Sequence, residues 1–131
     1  MQFNEIIKRA RVIRKTYSQL NSREGNKVWG VSEYAQGLVG DVGDLMKLIM
    51  AKKGLRFSAE EDVNSALKRE LADCLWSVLM IADELGVNLE KEFLATMNKL
   101  ENKIAEHKVI KRKTKNSRDY IKSLIIHRTK V

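Results

Sequence analysis

Two pairs of acidic residues have the spacing and the surroundings of a metal site. Asp41 and Asp44 lie three residues apart in "GDVGDLMKLIM", and Glu70 and Asp73 lie three apart in "KRELADCLWSVLMIADELG". Apolar residues recur around both pairs at helical spacing, so each pair falls on or beside the face of a helix that should be buried. An ionised carboxylate in an apolar setting normally becomes neutral, pairs with a cation or binds a metal.

The four acids offer only oxygen ligands. Such a set is typical of a hard divalent cation such as Mg²⁺, with Mn²⁺ as the alternative, and not of zinc. The two histidines, His107 and His127, fall near the end of the chain, so neither helix carries the Glu-x-x-His pair of a di-iron bundle. The competing interpretation is that the acids form ordinary ion pairs with lysines and arginines. Two pairs of equal spacing, each beside an apolar stripe, favour the metal site.

The elements that must position these acids are helices. The chain of 131 residues contains no proline, and the 3.6-residue spacing of its apolar residues predicts an all-α fold without a sheet. We expect a first helix over about residues 2–20, a second from Ser32, as its cap, to about Lys53, a third ending at Gly86, and a fourth from about Asn88. The expected core stripe of the second helix comprises Ala35, Leu38, Val42, Leu45 and Ile49.

The net charge of +8 is concentrated at the end of the chain. Residues 1–106 hold 16 basic and 16 acidic residues, whereas residues 107–131 hold 9 basic residues and one acid. We therefore predict a helical catalytic domain over residues 1–106 and a basic tail over residues 107–131, with a short helix in "SRDYIKSLIIH" capped by Ser117. Such a tail can attract nucleic acid or another polyanion, although basic runs are more often simply solvated.

The remaining composition indicates a soluble cytoplasmic protein. The start, "MQFNEIIKRARVIRK", is charged and lacks the apolar block of a secretion signal. No run of about eighteen apolar residues is present that would cross a membrane. The single cysteine, Cys74, has no disulfide partner within the chain, and we interpret it as a small core residue in a reducing compartment.

The acid pairs and their flanking segments resemble the MazG-like nucleoside triphosphate pyrophosphohydrolases of the all-α NTP pyrophosphatase superfamily. The resemblance covers about residues 28 to 104 and rests on "DVGDL", "ELADCLW", "LGVNLEKEF" and "KLENKI" in that order. It implies a four- to five-helix bundle completed by oligomerisation. It also implies hydrolysis of a nucleoside triphosphate to the monophosphate and pyrophosphate. Two departures stand out: the first acid pair is usually two glutamates, and Gly40 stands where many members carry a further acid.

The resemblance also implies roles for individual residues. The Mg²⁺ ligands would be Asp41, Asp44, Glu70 and Asp73, of which Asp41 and Glu70 would also be catalytic. For Asp41, both metal binding and orientation of the attacking water stay open. Lys99 and Asn102 in "NKLENK" would contact the substrate, and Trp29 would stack on the base, although packing alone is a common role for a tryptophan.

Two other functions fit parts of the sequence. A catalytically inactive relative that binds nucleotides or a partner would explain the shortened first acid pair. A helical module that binds nucleic acid through the basic tail would explain the charge, but it leaves the four acids without a role. The helices carry more apolar surface than a small monomer can easily cover, which predicts a homodimer or homotetramer.

Overall fold

Four α-helices make up the described part of the chain. The computed structural model describes residues 1–59 and 62–128. The helices are α1 (Phe3–Arg23), α2 (Val31–Lys52), α3 (Val63–Glu84) and α4 (Leu89–Arg128). No strand occurs in these two ranges, which confirms the predicted all-α class. No helix within them is long and apolar enough to span a membrane.

The chain divides into two compact units, Met1–Glu90 and Lys91–Val131. In the first unit, α2 packs along α3, and α1 packs against α3. The buried core of this unit contains Ala10, Tyr34, Leu79 and Met80, and the partly buried residues around it are Phe3, Ile6, Ile7, Trp76, Ile81 and Leu89. The acids predicted to bind metal therefore lie on the two helices with the most extensive mutual contact.

The second unit is formed by α4, which runs without interruption to Arg128. Ser117, the predicted cap of a separate short helix, lies inside α4, and its hydroxyl donates to the carbonyl oxygen of Lys113 at 2.9 Å. The predicted short helix is therefore the end of α4. The predicted boundary at residue 106 falls within the same helix, and residues 129–131 of the predicted tail lie outside the described residues. The division into a catalytic domain and a basic tail stays a prediction.

The ends of α2 and α3 are defined by side chains and by glycines. Helix α2 begins at Val31 with Gly30 as its cap, and the Glu33 carboxylate accepts from the Gly30 amide at 3.0 Å, so the predicted Ser32 cap is wrong. A hydrogen bond from Lys27 lowers the pKa of Glu33 to about 2. Gly54 and Gly86, with φ of +73° and +66°, follow α2 and α3 and adopt the left-handed conformation that glycine permits.

The buried face of α2 differs in phase from the predicted stripe. Its least exposed residues recur at alternating steps of four and three and are Tyr34, Leu38, Asp41, Leu45 and Leu48. By contrast, the predicted core residues Val42 and Ile49 are 49% and 38% exposed. Asp41, which the helical spacing placed on or beside the buried face, lies in the middle of the face that packs against α3.

Ion pairs hold α1 against the end of α3. Arg11 and Arg14 donate to the two oxygens of Asp83 at 2.6 and 2.9 Å, and Arg14 also pairs with Glu84. The Arg14 guanidinium lies 5.7 Å from the centre of the Tyr34 ring, close enough for a cation–π interaction. These contacts fix the position of α1 relative to the aromatic residues of α2 and α3.

Replacing Gly40 with alanine should stabilise the protein. Gly40 lies inside α2 and is exposed, and a Cβ atom there would have no neighbour within 4 Å. Alanine restricts the unfolded chain more than glycine and favours the helix, so we expect a gain of about 0.5–1 kcal/mol in the free energy of unfolding, measured by urea titration. Gly86→Ala is the control and should destabilise because of its positive φ. A Gly40→Ala variant no more stable than the parent would contradict the expectation.

Candidate active site

The two predicted acid pairs come together between α2 and α3. Burial raises the pKa of Asp41 above its ordinary value, and the charges of Asp73 and Asp44 raise it further. Burial likewise raises the pKa of Glu70, with further increases from Asp41, Asp44 and Asp73. Asp41 and Glu70 therefore lie within range of the negative charge of acids on the opposite helix.

One carboxylate oxygen of Glu70 is buried. This atom, Oε2, has no hydrogen-bond partner within residues 1–59 and 62–128. Buried polar atoms in folded proteins nearly always have a partner, and a buried carboxylate oxygen without one is costly. A bound cation would supply the missing interaction.

Ser77 holds Asp41 from the opposite helix. The Ser77 hydroxyl donates to the Asp41 carboxylate and partly offsets the increase in the pKa of that carboxyl. Ser77 is only 4% exposed and lies four residues after Asp73, on the same side of α3. Sequence reasoning missed this residue. The sequence feature that could have identified Ser77 is a polar residue at the spacing of core residues within the apolar run of α3.

Asp44 and Asp73 are exposed, in contrast to Asp41 and Glu70. Lys47 lies 3.7 Å from Asp44, one turn along α2. This is the one ion pair among the described residues that involves any of the four acids. The competing interpretation, in which lysines and arginines neutralise the acids, therefore accounts for Asp44 alone.

The residues present fit a divalent cation in their chemistry. The donors are all carboxylate oxygens, one of them buried without a partner, and their mutual repulsion is of the kind that a bound cation relieves. Within the described ranges, however, no three acidic, histidine or cysteine side chains are close enough together to hold a metal ion. The four acids are thus grouped without forming a closed coordination shell.

Cys74 lies among the acids and is partly buried. Burial raises the pKa of its thiol, and the charges of Asp41, Glu70 and Asp73 raise it further. A thiol with a raised pKa stays neutral and is a poor nucleophile at neutral pH. This finding agrees with the interpretation of Cys74 as an unreactive packing residue.

An aromatic cavity of about 380 Å³ lies within the first unit. It is lined by Tyr17, Ser18, Asn21, Trp29, Tyr34 and Trp76. The Trp29 and Tyr34 rings meet edge to face at 5.6 Å, and the Tyr34 and Trp76 rings do so at 6.5 Å. We refer to this space as the aromatic cavity. Trp29, which was predicted to stack on a base, forms part of its wall, and Trp76 belongs to the same wall.

The aromatic cavity lies about one helical turn from the acids. A Cβ atom on Gly37 would lie 3.6 Å from Cζ3 of Trp29 and 4.0 Å from Oγ of Ser77. Asp41 follows Gly37 by four residues, which is about 6 Å along α2, and Ser77 itself holds Asp41. The walls of the cavity come from α1, α2, α3 and the segment before α2, and sequence reasoning missed the contribution of α1.

A second cavity, of about 340 Å³, has Glu70 in its wall. Asp44 and Glu70 line it together with three cationic side chains, those of Lys47, Arg56 and Arg69. The charge of Arg69 slightly opposes the increase in the pKa of Glu70. We refer to this space as the cationic cavity. Sequence reasoning assigned no role to its three basic residues.

Lys99 and Asn102 lie on α4, in the second unit. Both are exposed and lie three residues apart along the helix, so their side chains share one side of it. Their assignment as substrate-binding residues stays a prediction.

One protein-family model matches most of the chain. The model is described as the MazG nucleotide pyrophosphohydrolase domain, and it matches residues 30–112. The matched range contains both acid pairs, Lys99 and Asn102, and it begins after α1 and Trp29. No curated protein matches the chain.

Proposed function

The chain belongs to the MazG nucleotide pyrophosphohydrolase domain family, and from that premise we propose that it hydrolyses a ribo- or deoxyribonucleoside triphosphate to the monophosphate and pyrophosphate. The reaction would depend on Mg²⁺, with Mn²⁺ as the alternative, and would serve nucleotide-pool housekeeping in the cytoplasm. The observation that supports the proposal best is the group of four acids, with an unsatisfied oxygen on Glu70, one helical turn from an aromatic cavity.

The four acids would have different roles in metal binding and in orienting the attacking water. A divalent cation, when bound, neutralises phosphate oxygens and lowers the pKa of a water molecule. Asp44, Glu70 and Asp73 would hold it. Asp41 would either complete the ligand set or orient the attacking water and accept its proton. The Ser77 hydroxyl favours the ionised form of the Asp41 carboxylate, which suits either role.

The reaction would join the attacking water to the α-phosphate and release pyrophosphate. The oxygen of the attacking water forms a bond to the α-phosphorus, while the bond from that phosphorus to the oxygen bridging to the β-phosphorus breaks. That oxygen leaves with the pyrophosphate, and one proton of the water passes to a carboxylate or to solvent.

The rest of the substrate would bind outside the acids. Trp29 would stack on the base, and Lys99 and Asn102 would bind phosphate or sugar.

We also propose that the protein forms a homodimer or homotetramer. Val39, Val42 and Met46 follow one another on one side of α2 and are 74%, 49% and 57% exposed, and Leu71 and Leu75 on α3 are 57% and 45% exposed. Exposed apolar residues at helical spacing are typical of a surface that packs against another protein. A second copy of the chain would cover them.

A second candidate function is nucleotide binding without hydrolysis. Gly40 has no side chain where many family members carry a further acid, and the described acids do not form a closed metal site. A protein of this kind would bind nucleotides in the presence of Mg²⁺ and release no product.

Incubation with nucleoside triphosphates tests the two candidates directly. The purified protein is mixed with Mg²⁺ and each ribo- and deoxyribonucleoside triphosphate, and the products are separated by chromatography. We expect a monophosphate and pyrophosphate from at least one substrate, with chelation of the metal abolishing the reaction. A diphosphate and phosphate would instead place the attack at the γ-phosphorus. Intact triphosphates across the panel, with Mn²⁺ also tried, would favour nucleotide binding alone.

A further inference from the structure

The two cavities and the acids lie in a line along α2 and α3. On α2 the order is Gly37 beside the aromatic cavity, then Asp41 and Asp44 among the acids, then Lys47 at the cationic cavity. Gly37 and Lys47 are ten residues apart, a rise of about 15 Å along a helix. This part of α2 therefore has an aromatic end, an acidic middle and a cationic end over a span on the scale of a nucleoside triphosphate.

The order along α3 is the same, read in the opposite direction. Trp76 and Ser77 lie at the aromatic end, Asp73 and Glu70 lie in the middle, and Arg69 lines the cationic cavity. Two antiparallel helices thus place matching chemistry side by side at each point. Both helices give the same order of aromatic, acidic and cationic residues, so this order does not depend on any single residue.

The cationic end has the chemistry of a polyphosphate site. Among the described residues that line this cavity, three are basic, Lys47, Arg56 and Arg69, and two are acidic, Asp44 and Glu70. Lys47 contacts Asp44, whereas Arg56 and Arg69 make no ion pair with another described residue. Arginine presents a planar set of donors that matches phosphate oxygens, and lysine is a compact positive charge.

We propose that the cationic cavity binds the β- and γ-phosphates of the substrate and retains them as the pyrophosphate product. This inference rests on the proposed function, because it assigns the direction of a triphosphate in that site. The base occupies the aromatic cavity, and the α-phosphorus lies among the four acids. The leaving pyrophosphate then moves toward Arg56, which lies in the segment that connects α2 to α3. The positive charges of the cavity stabilise the negative charge that develops on the bridging oxygen.

Binding of inorganic pyrophosphate tests this assignment without requiring turnover. The affinity of the full chain for pyrophosphate and for a nucleoside monophosphate is measured by calorimetry in the presence of Mg²⁺. We expect Arg56→Ala to weaken pyrophosphate binding by about five- to tenfold, the effect of losing a charged contact at an exposed site, and to leave the affinity for the monophosphate unchanged. Arg56→Lys should restore part of the loss.

Lys53→Ala is the matched control. Lys53 is an exposed basic residue at the end of α2 and is not part of the cavity wall, so its removal changes the net charge equally and should leave both affinities unchanged. Equal losses of affinity for pyrophosphate and monophosphate in Arg56→Ala would overturn the inference and indicate general attraction of anions. Unchanged pyrophosphate binding in that variant, or no binding to the parent protein, would overturn it as well. Pyrophosphate binding that depends on Arg56 in a protein without turnover would refute the proposed hydrolysis and leave the cavity assignment in place.

Discussion

Replacing Glu70 with glutamine should lower the rate of triphosphate hydrolysis by about 100-fold or more while leaving the fold intact. Glutamine keeps the size of the side chain and removes the negative charge that would hold a divalent cation. Loss of one charged metal contact costs several kcal/mol of transition-state stabilisation. The rate is measured with the best substrate of the panel at saturating Mg²⁺, and helical content is checked by circular dichroism.

The same variant should be at least as stable as the parent when metal is absent. Burial and the charges of Asp41, Asp44 and Asp73 all raise the pKa of Glu70, so ionised Glu70 is less favourable in the folded chain than in the unfolded one at neutral pH. Removing that charge removes the penalty. We therefore expect the Tm in a chelator to be unchanged or higher, and the increase in Tm caused by Mg²⁺ to be smaller than in the parent.

Glu90→Gln serves as the control for the Glu70 substitution, because Glu90 is exposed and lies outside the acid group. It should retain full activity and the full response to Mg²⁺. A Glu70→Gln variant with the rate of the parent would remove Glu70 from the site. A variant that loses activity together with helical content would instead indicate that Glu70 is needed for folding.

The acid group was predictable from the sequence because its signal is local. Two residues three apart on a helix always share one side of it, and the apolar residues around them indicate the side that is buried. The phase of the α2 core was less predictable. Burial depends on how α3 packs, and the apolar pattern alone placed Val42 and Ile49 in the core although both are exposed.

The prediction of a separate short helix from Ser117 was wrong, because this segment is the end of α4. A run of basic residues, such as the one that precedes Ser117, does not end a helix. No glycine occurs after Gly86 and the chain has no proline, so the sequence contains no strong helix breaker over this range. The absence of breakers was the better guide.

The two cavities could not be predicted from local patterns. The aromatic cavity requires α1 to lie beside Trp29 and Tyr34, and ion pairs between residues such as Arg14 and Asp83, 69 positions apart, fix that arrangement. The cationic cavity similarly combines α2, α3 and their connection. Contacts between residues distant in the sequence leave no periodic signal.

Replacing Trp29 with alanine should raise KM by about 10- to 100-fold while changing kcat little. Stacking of a base on an aromatic side chain is worth roughly 1–3 kcal/mol, and the base does not react, so the interaction is equally strong in the bound substrate and in the transition state. Loss of such uniform binding appears in KM alone. The measurement is steady-state hydrolysis of the best triphosphate across a range of concentrations.

Two further variants separate stacking from packing. Trp29→Phe keeps an aromatic face and should recover most of the lost affinity. Val28→Ala changes a neighbouring side chain that is also 46% exposed but does not line the aromatic cavity, so KM should stay at the parent value. If Trp29→Ala lowers kcat and KM changes little, Trp29 acts by packing over Gly37 and thereby positioning the helix that carries Asp41. The base would then be bound without help from Trp29, and the assignment of the base to the aromatic cavity would lose its support.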